Sequence, residues 1–487
     1  MTIHDLNPQG VWKNFHALTQ IPRPSRHEEK VSKFLCKFGK DLGLESFQDE
    51  VGNVIIRKPA TKGMEKCKGI VLQAHMDMVP QKNSDKKHDF TKDPIETRVV
   101  EHEDGLWLHA DGTTLGADDG LGVALAMTVL ESKDLKHGPI EALFTVDEET
   151  GMNGAFALKP GLLNGEILIN LDSETEGELY VGCAGGVDWE ATVKYKEEPM
   201  PKGYKAFKVA AKGLRGGHSG MEINEGRGNA SRFLIRALLP MLRDMDCKLV
   251  SIEGGNLKNA IPREAEAIVA VPADSVEDVK LLVEQTDDVL RKEYGKVEKD
   301  FKVSIEPAKA KTVIAGNTAL KFIKVLYVCP DGIDRMSLEI DGLVESSNNL
   351  AIVKSGDGKF ISSGLMRGAT DSIKFDQAEA LRCAFELAGG KVVFEGAYSG
   401  WAPNLDSPIL KTMKAQYKAL YKVEPAVMAI HAGLECGILG ATYTNWDMVS
   451  CGPTLKSPHS PDERCYIPSV EKWWNFIVAA LANAPKK

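Results

Sequence analysis

A chain of 487 residues is long enough for about two to four domains, each with its own core. With 69 acidic and 60 basic residues the net charge is −9 and no Lys/Arg block stands out, which argues against nucleic acid as a partner. Nine cysteines without CxxC pairs point to reduced thiols and a cytoplasmic protein, and neither a signal-like N-terminus nor any run approaching ~18 apolar residues points to a membrane.

From residue 11 to about 185, helical and strand patterns alternate: an amphipathic helix over 25–42, strands near 54–57 and 69–72, a helix after Asp119, and strands ending at Val146 and Leu171. This succession predicts an α/β fold, a mostly parallel sheet with helices on both faces. A similar stretch follows residue 400, with a helix over 408–420 and a strand over 425–430. Between the two, the texture changes to strands over 206–211, 248–252 and 265–271 and amphipathic helices over 230–242 and 276–293. A weaker succession of the same kind follows: a helix over 319–328, strands around 350–354 and 359–366, and a helix over 375–387. The expected organisation is an α/β domain in two segments, 1–187 and 399–487, interrupted over 188–398 by an α+β domain of two related halves.

The strand ends carry the chemistry. The run Gly69-Ile70-Val71-Leu72 is apolar on both faces, as in the middle of a parallel sheet, and sends His75 and Asp77 to one face at i and i+2. An Asp so placed can fix the tautomer of a metal-bound imidazole, although a loop His with a chance acidic neighbour has the same spelling. The turn Gly116-Ala117-Asp118-Asp119-Gly120 runs into an apolar helix, where Asp118 serves equally as an N-cap or as a functional acid. Asp147-Glu148-Glu149 ends the next strand, three acids that repel one another unless a cation or solvent relieves them. Asp172 ends the one after that, with a polar turn as the plain alternative. Repetition tips the balance: three successive apolar strands end in carboxylate or imidazole, where open α/β sheets place their sites. Two imidazoles, His75 and His459, with several carboxylates and no thiolate pattern suit zinc or a similar divalent ion in a hydrolytic site.

These strand ends, together with the runs Gln73-Ala74-His75-Met76-Asp77-Met78-Val79, Gly213-Leu214-Arg215-Gly216-Gly217-His218-Ser219-Gly220, Asn259-Ala260-Ile261-Pro262-Arg263 and Pro458-His459-Ser460-Pro461-Asp462-Glu463-Arg464, carry a resemblance that covers essentially the whole chain. The sequence resembles the dinuclear zinc metallopeptidases that include carboxypeptidase G-like enzymes, aminoacylases and dipeptidases. Its long insert resembles the aminoacyl-histidine dipeptidase branch of that family. The resemblance implies two Zn2+ per chain, with Co2+ or Mn2+ as substitutes, and Asp118 bridging them. His75 and Asp172 would then complete one ion's ligands, and Glu149 and His459 the other's. Glu148 would be the general base and Asp77 the partner of His75, and the Asp118-Asp119 peptide would be cis. The two α/β segments become a catalytic domain, and the insert becomes a lid through which a homodimer forms. His218, in its glycine-rich run, becomes an oxyanion donor, often in a partner subunit's site.

The implied reaction is hydrolysis of small peptides. An enzyme for N-acyl amino acids would share the metal centre, and a non-catalytic relative would show decay of a ligand set that is complete here. Arg367 is expected to grip a substrate's C-terminal carboxylate, because a guanidinium fork binds carboxylate in bidentate fashion, with a surface salt bridge as the alternative. Asn259 and Arg263, polar residues beside apolar strand patterns, join it as candidate substrate contacts. His431 and Glu435 are expected to line the pocket from the catalytic-domain side, Glu435 as the partner of a dipeptide's free amine.

Overall fold

In the structure, a computed structural model covering residues 1–487, the chain divides into two units. The first comprises residues 1–182, 403–429 and 434–487, and the second residues 183–402 with the short piece 430–433.

The first unit is built on an eight-stranded sheet in the order Glu45–Gln48, Val54–Lys58, Ile140–Thr145, Ile70–His75, Ile167–Asn170, Asp447–Ser450, Glu178–Cys183, Ala426–Ile430. Its four central strands, from Ile140–Thr145 to Asp447–Ser450, run parallel, and antiparallel strands flank them. Every residue of Ile70–His75, Ile140–Thr145 and Ile167–Asn170 is buried, which is why these strands read as continuous apolar runs and not as alternating ones. The helix Ala117–Glu131 packs on Gln9–Thr19 and on Ile70–His75, while Pro408–Tyr421 packs on Ile467–Ala482. The parallel strands Ile70–His75, Ile140–Thr145 and Ile167–Asn170 therefore end at one edge, and their ends and outgoing loops hold His75, Glu148, Glu149 and Asp172.

A second, four-stranded sheet was not foreseen. Leu455–Lys456 and Arg464–Tyr466 form a hairpin whose loop carries His459, and Arg464–Tyr466 pairs with Gly105–Ala110, the strand that leads towards Asp118. Thr97–His102 completes it.

The second unit is one nine-stranded antiparallel sheet, and its two halves match the related halves read from the sequence. Lys302–Pro307, Tyr204–Lys212, Ala265–Pro272 and Lys248–Gly254 form one half, with helices Ala230–Asp244 and Val276–Tyr294. Val344–Gly356, Lys359–Gly368, Gly185–Lys194 and Lys391–Tyr398 form the other, with helices Thr318–Val328 and Asp371–Leu387 and the added strand Gly332–Met336. The halves meet where Glu253 pairs with Lys354 and Gly254 with Val353. Trp189, Phe233, Phe301, Phe322, Phe360 and Phe385 fill a single core beneath it. The unit begins at Cys183 and not at 188, because Gly185–Lys194 pairs along its length with Lys359–Gly368 and belongs wholly to this sheet. No helix of the chain is long and apolar enough to cross a membrane.

Candidate metal centre

His75 is the last residue of its buried strand, and the chain then turns through Met76 to Asp77, also buried. Asp77 uses both carboxylate oxygens: Oδ1 lies 3.2 Å from His75 Nδ1 and accepts the Glu148 N–H at 3.1 Å, and Oδ2 accepts the Glu149 N–H at 3.3 Å. One acid thus holds the imidazole and the Glu148-Glu149 turn together, and leaves Nε2 of His75 as the nitrogen facing outward.

That nitrogen lies 3.1 Å from Asp118 Oδ1 and 3.4 Å from Asp172 Oδ1. His459 Nε2, arriving from the hairpin loop, lies 3.1 Å from Asp118 Oδ2 and 3.1 Å from Glu149 Oε2. Asp118 therefore sits between two imidazoles and offers one oxygen to each, with Asp172 on the His75 side and Glu149 on the His459 side. Donor atoms of His75, Asp118 and Glu149 fall within 4.8 Å of one another. The Asp118-Asp119 peptide is cis.

The charges of this cluster fit a cation. Burial, with Asp118 nearby, pushes Asp172 up to about 7, and burial with the neighbouring Asp118 does the same to Glu174. Burial also raises Glu148 well above the carboxylate range, against the pull of His75 and with the repulsion of Asp172, Glu435 and Glu149 added. The imidazoles are raised as well, which for them favours the charged form. His459, hydrogen-bonded to Asp118 and Glu149, is pushed up to about 11, and His75 is raised although its burial opposes this, because Asp172, Asp118 and Asp77 surround it. Two imidazoles that must each take a proton to neutralise the carboxylates between them are an arrangement that divalent cations satisfy in place of those protons. Glu149 Oε1 is buried without a partner, a lone pair free for such an ion. Imidazole nitrogen and carboxylate oxygen without thiolate is a donor set suited to zinc and its neighbours.

Glu435 lies in the first unit at the start of the helix Glu435–Thr442, fully buried. Its Oε2 accepts from Gln73 Nε2 at 2.6 Å and Thr145 Oγ1 at 2.8 Å, its Oε1 has no partner, and burial pushes it up to about 8.

The remaining candidates gather in the second unit. Arg367, only 4% exposed, donates through Nη1 to Tyr398 Oη at 3.3 Å, and its Nη2 lies 3.5 Å from His218 Nε2. His218 Nδ1 accepts the N–H groups of Gly220 and Met221 at 3.2 and 3.0 Å, so its neutral ring carries the proton on Nε2. Two donors, from Arg367 and His218, then stand side by side with no acceptor between them. Burial and the Arg367 charge hold His218 down to about 4 and His431 down to about 3. His431, expected on the catalytic-domain side, belongs to this unit instead, because residues 430–433 join it; the Ala184 N–H bonds to the carbonyls of Ile430 and Ala432. Its Nε2 is 2.7 Å from Ser347 Oγ. Asn259 and Arg263 are exposed, and both flank the short ladder that pairs Gly217–His218 with Ala260–Ile261. Arg263 Nε donates to the Leu214 carbonyl at 3.1 Å.

Two buried residues escaped the sequence reading: Arg23 touches the backbone of Met76, Asp77 and Gly116, and Glu463 that of the 115–118 turn. Glu463 lies in a run that the resemblance had already marked, whereas Arg23 has no local signal.

Residues 71–483 match peptidase family M20/M25/M40, and the chain belongs to that family. It is a hydrolase acting on peptide bonds. It is 43% identical over 486 residues to the cytosol non-specific dipeptidase of Escherichia coli (strain K12), covering 100% of this chain and 99% of that protein. The crystal structure of aminoacylhistidine dipeptidase from Vibrio alginolyticus superposes with a TM-score of 0.94 at 45% identity, over 100% of this chain and 99% of the other. Aminopeptidase PepT from Bacillus cereus shares the fold at 17% identity, with a TM-score of 0.56 over 98% of each chain.

Proposed function

We propose that this protein is a cytoplasmic dinuclear zinc dipeptidase that hydrolyses unblocked dipeptides, including those of the Xaa-His type. The observation that carries this reading is the placement of Asp118, one carboxylate oxygen against His75 and the other against His459. Asp118 would be shared between the two ions, His75 and Asp172 would hold one, and Glu149 and His459 would hold the other. When bound, the ions supply Lewis-acid polarisation of the scissile carbonyl and of the attacking water.

Glu148 is the general base. Its carboxylate takes a proton from the water, whose oxygen adds to the peptide carbonyl carbon. The same proton passes to the leaving amine nitrogen as the C–N bond breaks, and the water's second proton leaves the new carboxyl group for the amine, so the products are a carboxylate and an ammonium group and no acyl-enzyme forms. Asp77 keeps Glu148 in place through its bond to the Glu148 N–H. His218, with Nε2–H free, donates to the developing oxyanion. Arg367, which lies against Tyr398 and His218, takes the dipeptide's C-terminal carboxylate, with Asn259, Arg263 and His431 as further contacts. Glu435 accepts the free α-amine, which selects dipeptides over N-acyl amino acids. A homodimer through the second unit is part of this proposal, with His218 serving the partner's site.

A panel of dipeptides, tripeptides and N-acetylated amino acids tests it. Dipeptides with a free amine should be cleaved far faster than the other two classes. Efficient cleavage of N-acetylated amino acids with slow turnover of dipeptides would replace the dipeptidase reading by an acylase one.

A further inference from the structure

The two buried residues that the sequence did not announce share one peptide group. Glu463 is 2% exposed and directs all of its acceptor capacity at one stretch of backbone: Oε2 accepts the N–H groups of Leu115 at 2.7 Å and Gly116 at 3.1 Å, and Oε1 those of Ala117 at 2.8 Å and Asp118 at 3.4 Å. From the other side Arg23 donates through Nη2 to the Gly116 carbonyl at 2.5 Å and through Nη1 to the carbonyls of Met76 and Asp77 at 3.0 and 2.9 Å. Gly116 has φ +67°, and a Cβ there would come within 2.7 Å of Arg23 Nη2, so the turn is open only to glycine. Glu463 follows His459 by four residues on the same hairpin, and the next residue, Arg464, pairs with His109 of the strand that leads to the Asp118 turn. The segments bearing His75, Asp118 and His459 are thus tied to one another by a carboxylate and a guanidinium that touch none of the three side chains.

We infer that Glu463 is a positioning residue for the metal centre, clamping the 115–118 turn so that Asp118 presents one oxygen to each side, with Arg23 bracing the same turn from behind. The inference rests on the metal-centre reading above. A carboxylate is required because only an acceptor-only group with two oxygens can take four N–H donors; an amide turns two hydrogens on them. Loss of a residue that orients a ligand costs metal affinity typically by about 10–100-fold.

The experiment uses metal-stripped full-length protein and measures Zn2+ affinity by competition with a chromophoric chelator, the absorption spectrum of the Co2+ form, and thermal melting of the metal-free protein. Glu463→Gln should bind Zn2+ about 10–100-fold more weakly and shift the Co2+ bands, while the metal-free protein still melts cooperatively. Glu463→Asp, with the charge kept and the arm shortened, should fall between. Asp118→Asn is the control and should lose Zn2+ binding outright. A folded Glu463→Gln with wild-type affinity and spectrum beside an Asp118→Asn that has lost its metal overturns the inference alone. An Asp118→Asn that binds Zn2+ like the wild type overturns the metal-centre reading and this inference with it. If neither Glu463 variant folds, the residue serves the fold and the inference is withdrawn.

Discussion

His459 and His431 are both imidazoles held in loops, yet one is pushed up to about 11 and the other down to about 3. Burial acts in the same direction on both. What differs is the company: Asp118 and Glu149 face His459, whereas Arg367 faces His431. The contrast extends to the units they belong to. The first unit concentrates acids around two imidazoles and lacks only positive charge, which makes it a place for cations. The second sets the buried Arg367 beside Tyr398 and His218, and its charge helps to hold His218 and His431 neutral.

The largest expected effect breaks the acid side. Glu148→Ala should lose at least about 10²–10⁴-fold in kcat while keeping its metal, the contribution typical of a positioned general base. Glu149→Ala should lose an ion together with activity. Metal analysis and steady-state kinetics on both variants decide between these roles, and a metal-depleted Glu148→Ala beside a metal-replete Glu149→Ala would show them reversed.

On the cationic side, Arg367→Ala should weaken dipeptide binding by about 1.5–3 kcal/mol, seen as a raised KM. Amidating the substrate's C-terminus should then hurt the wild type far more than the variant. Equal sensitivity of the two proteins would assign the carboxylate to another residue. Mixing inactive His218→Ala with inactive Glu148→Ala protein should restore part of the activity after subunit exchange, since one site per mixed dimer regains both groups. Demonstrably mixed but inactive dimers would remove His218 from the partner's site.

The smallest effect is on stability. His431 is lowered from an ordinary 6.5 to about 3 by burial and Arg367, so the unfolded chain takes up that proton first as pH falls. Its contribution is complete above about pH 6.5 and is lost progressively towards pH 3. His431→Asn should flatten the dependence of the unfolding midpoint on pH in that window relative to wild type, measured by denaturant titration of metal-free protein. Parallel curves for the two would show that His431 is already protonated in the folded state.

How much of this was legible in the sequence follows from burial and from contact distance. Ile70–His75, Ile140–Thr145 and Ile167–Asn170 announce themselves because strands buried on both faces are unbroken apolar runs, and the acids that end them stand out against that background. Thr97–His102 has no fully buried residue, offers no such contrast, and was missed together with the small sheet that carries the His459 hairpin. His431 lies four residues before Glu435, and only the bonds from Ala184 to the carbonyls on either side of it reveal that the chain has crossed into the other unit. Arg23 is silent for a different reason. Its partners are backbone carbonyls 53, 54 and 93 residues away, and a backbone carbonyl has no letter in the sequence.

The central claim is that Asp118 joins two metal ions. Elemental analysis of the purified protein after gentle dialysis, with activity measured on the same sample, tests it most directly. Two divalent ions per chain at full activity is the expected result; a reproducible stoichiometry of one ion per chain with full activity would contradict it.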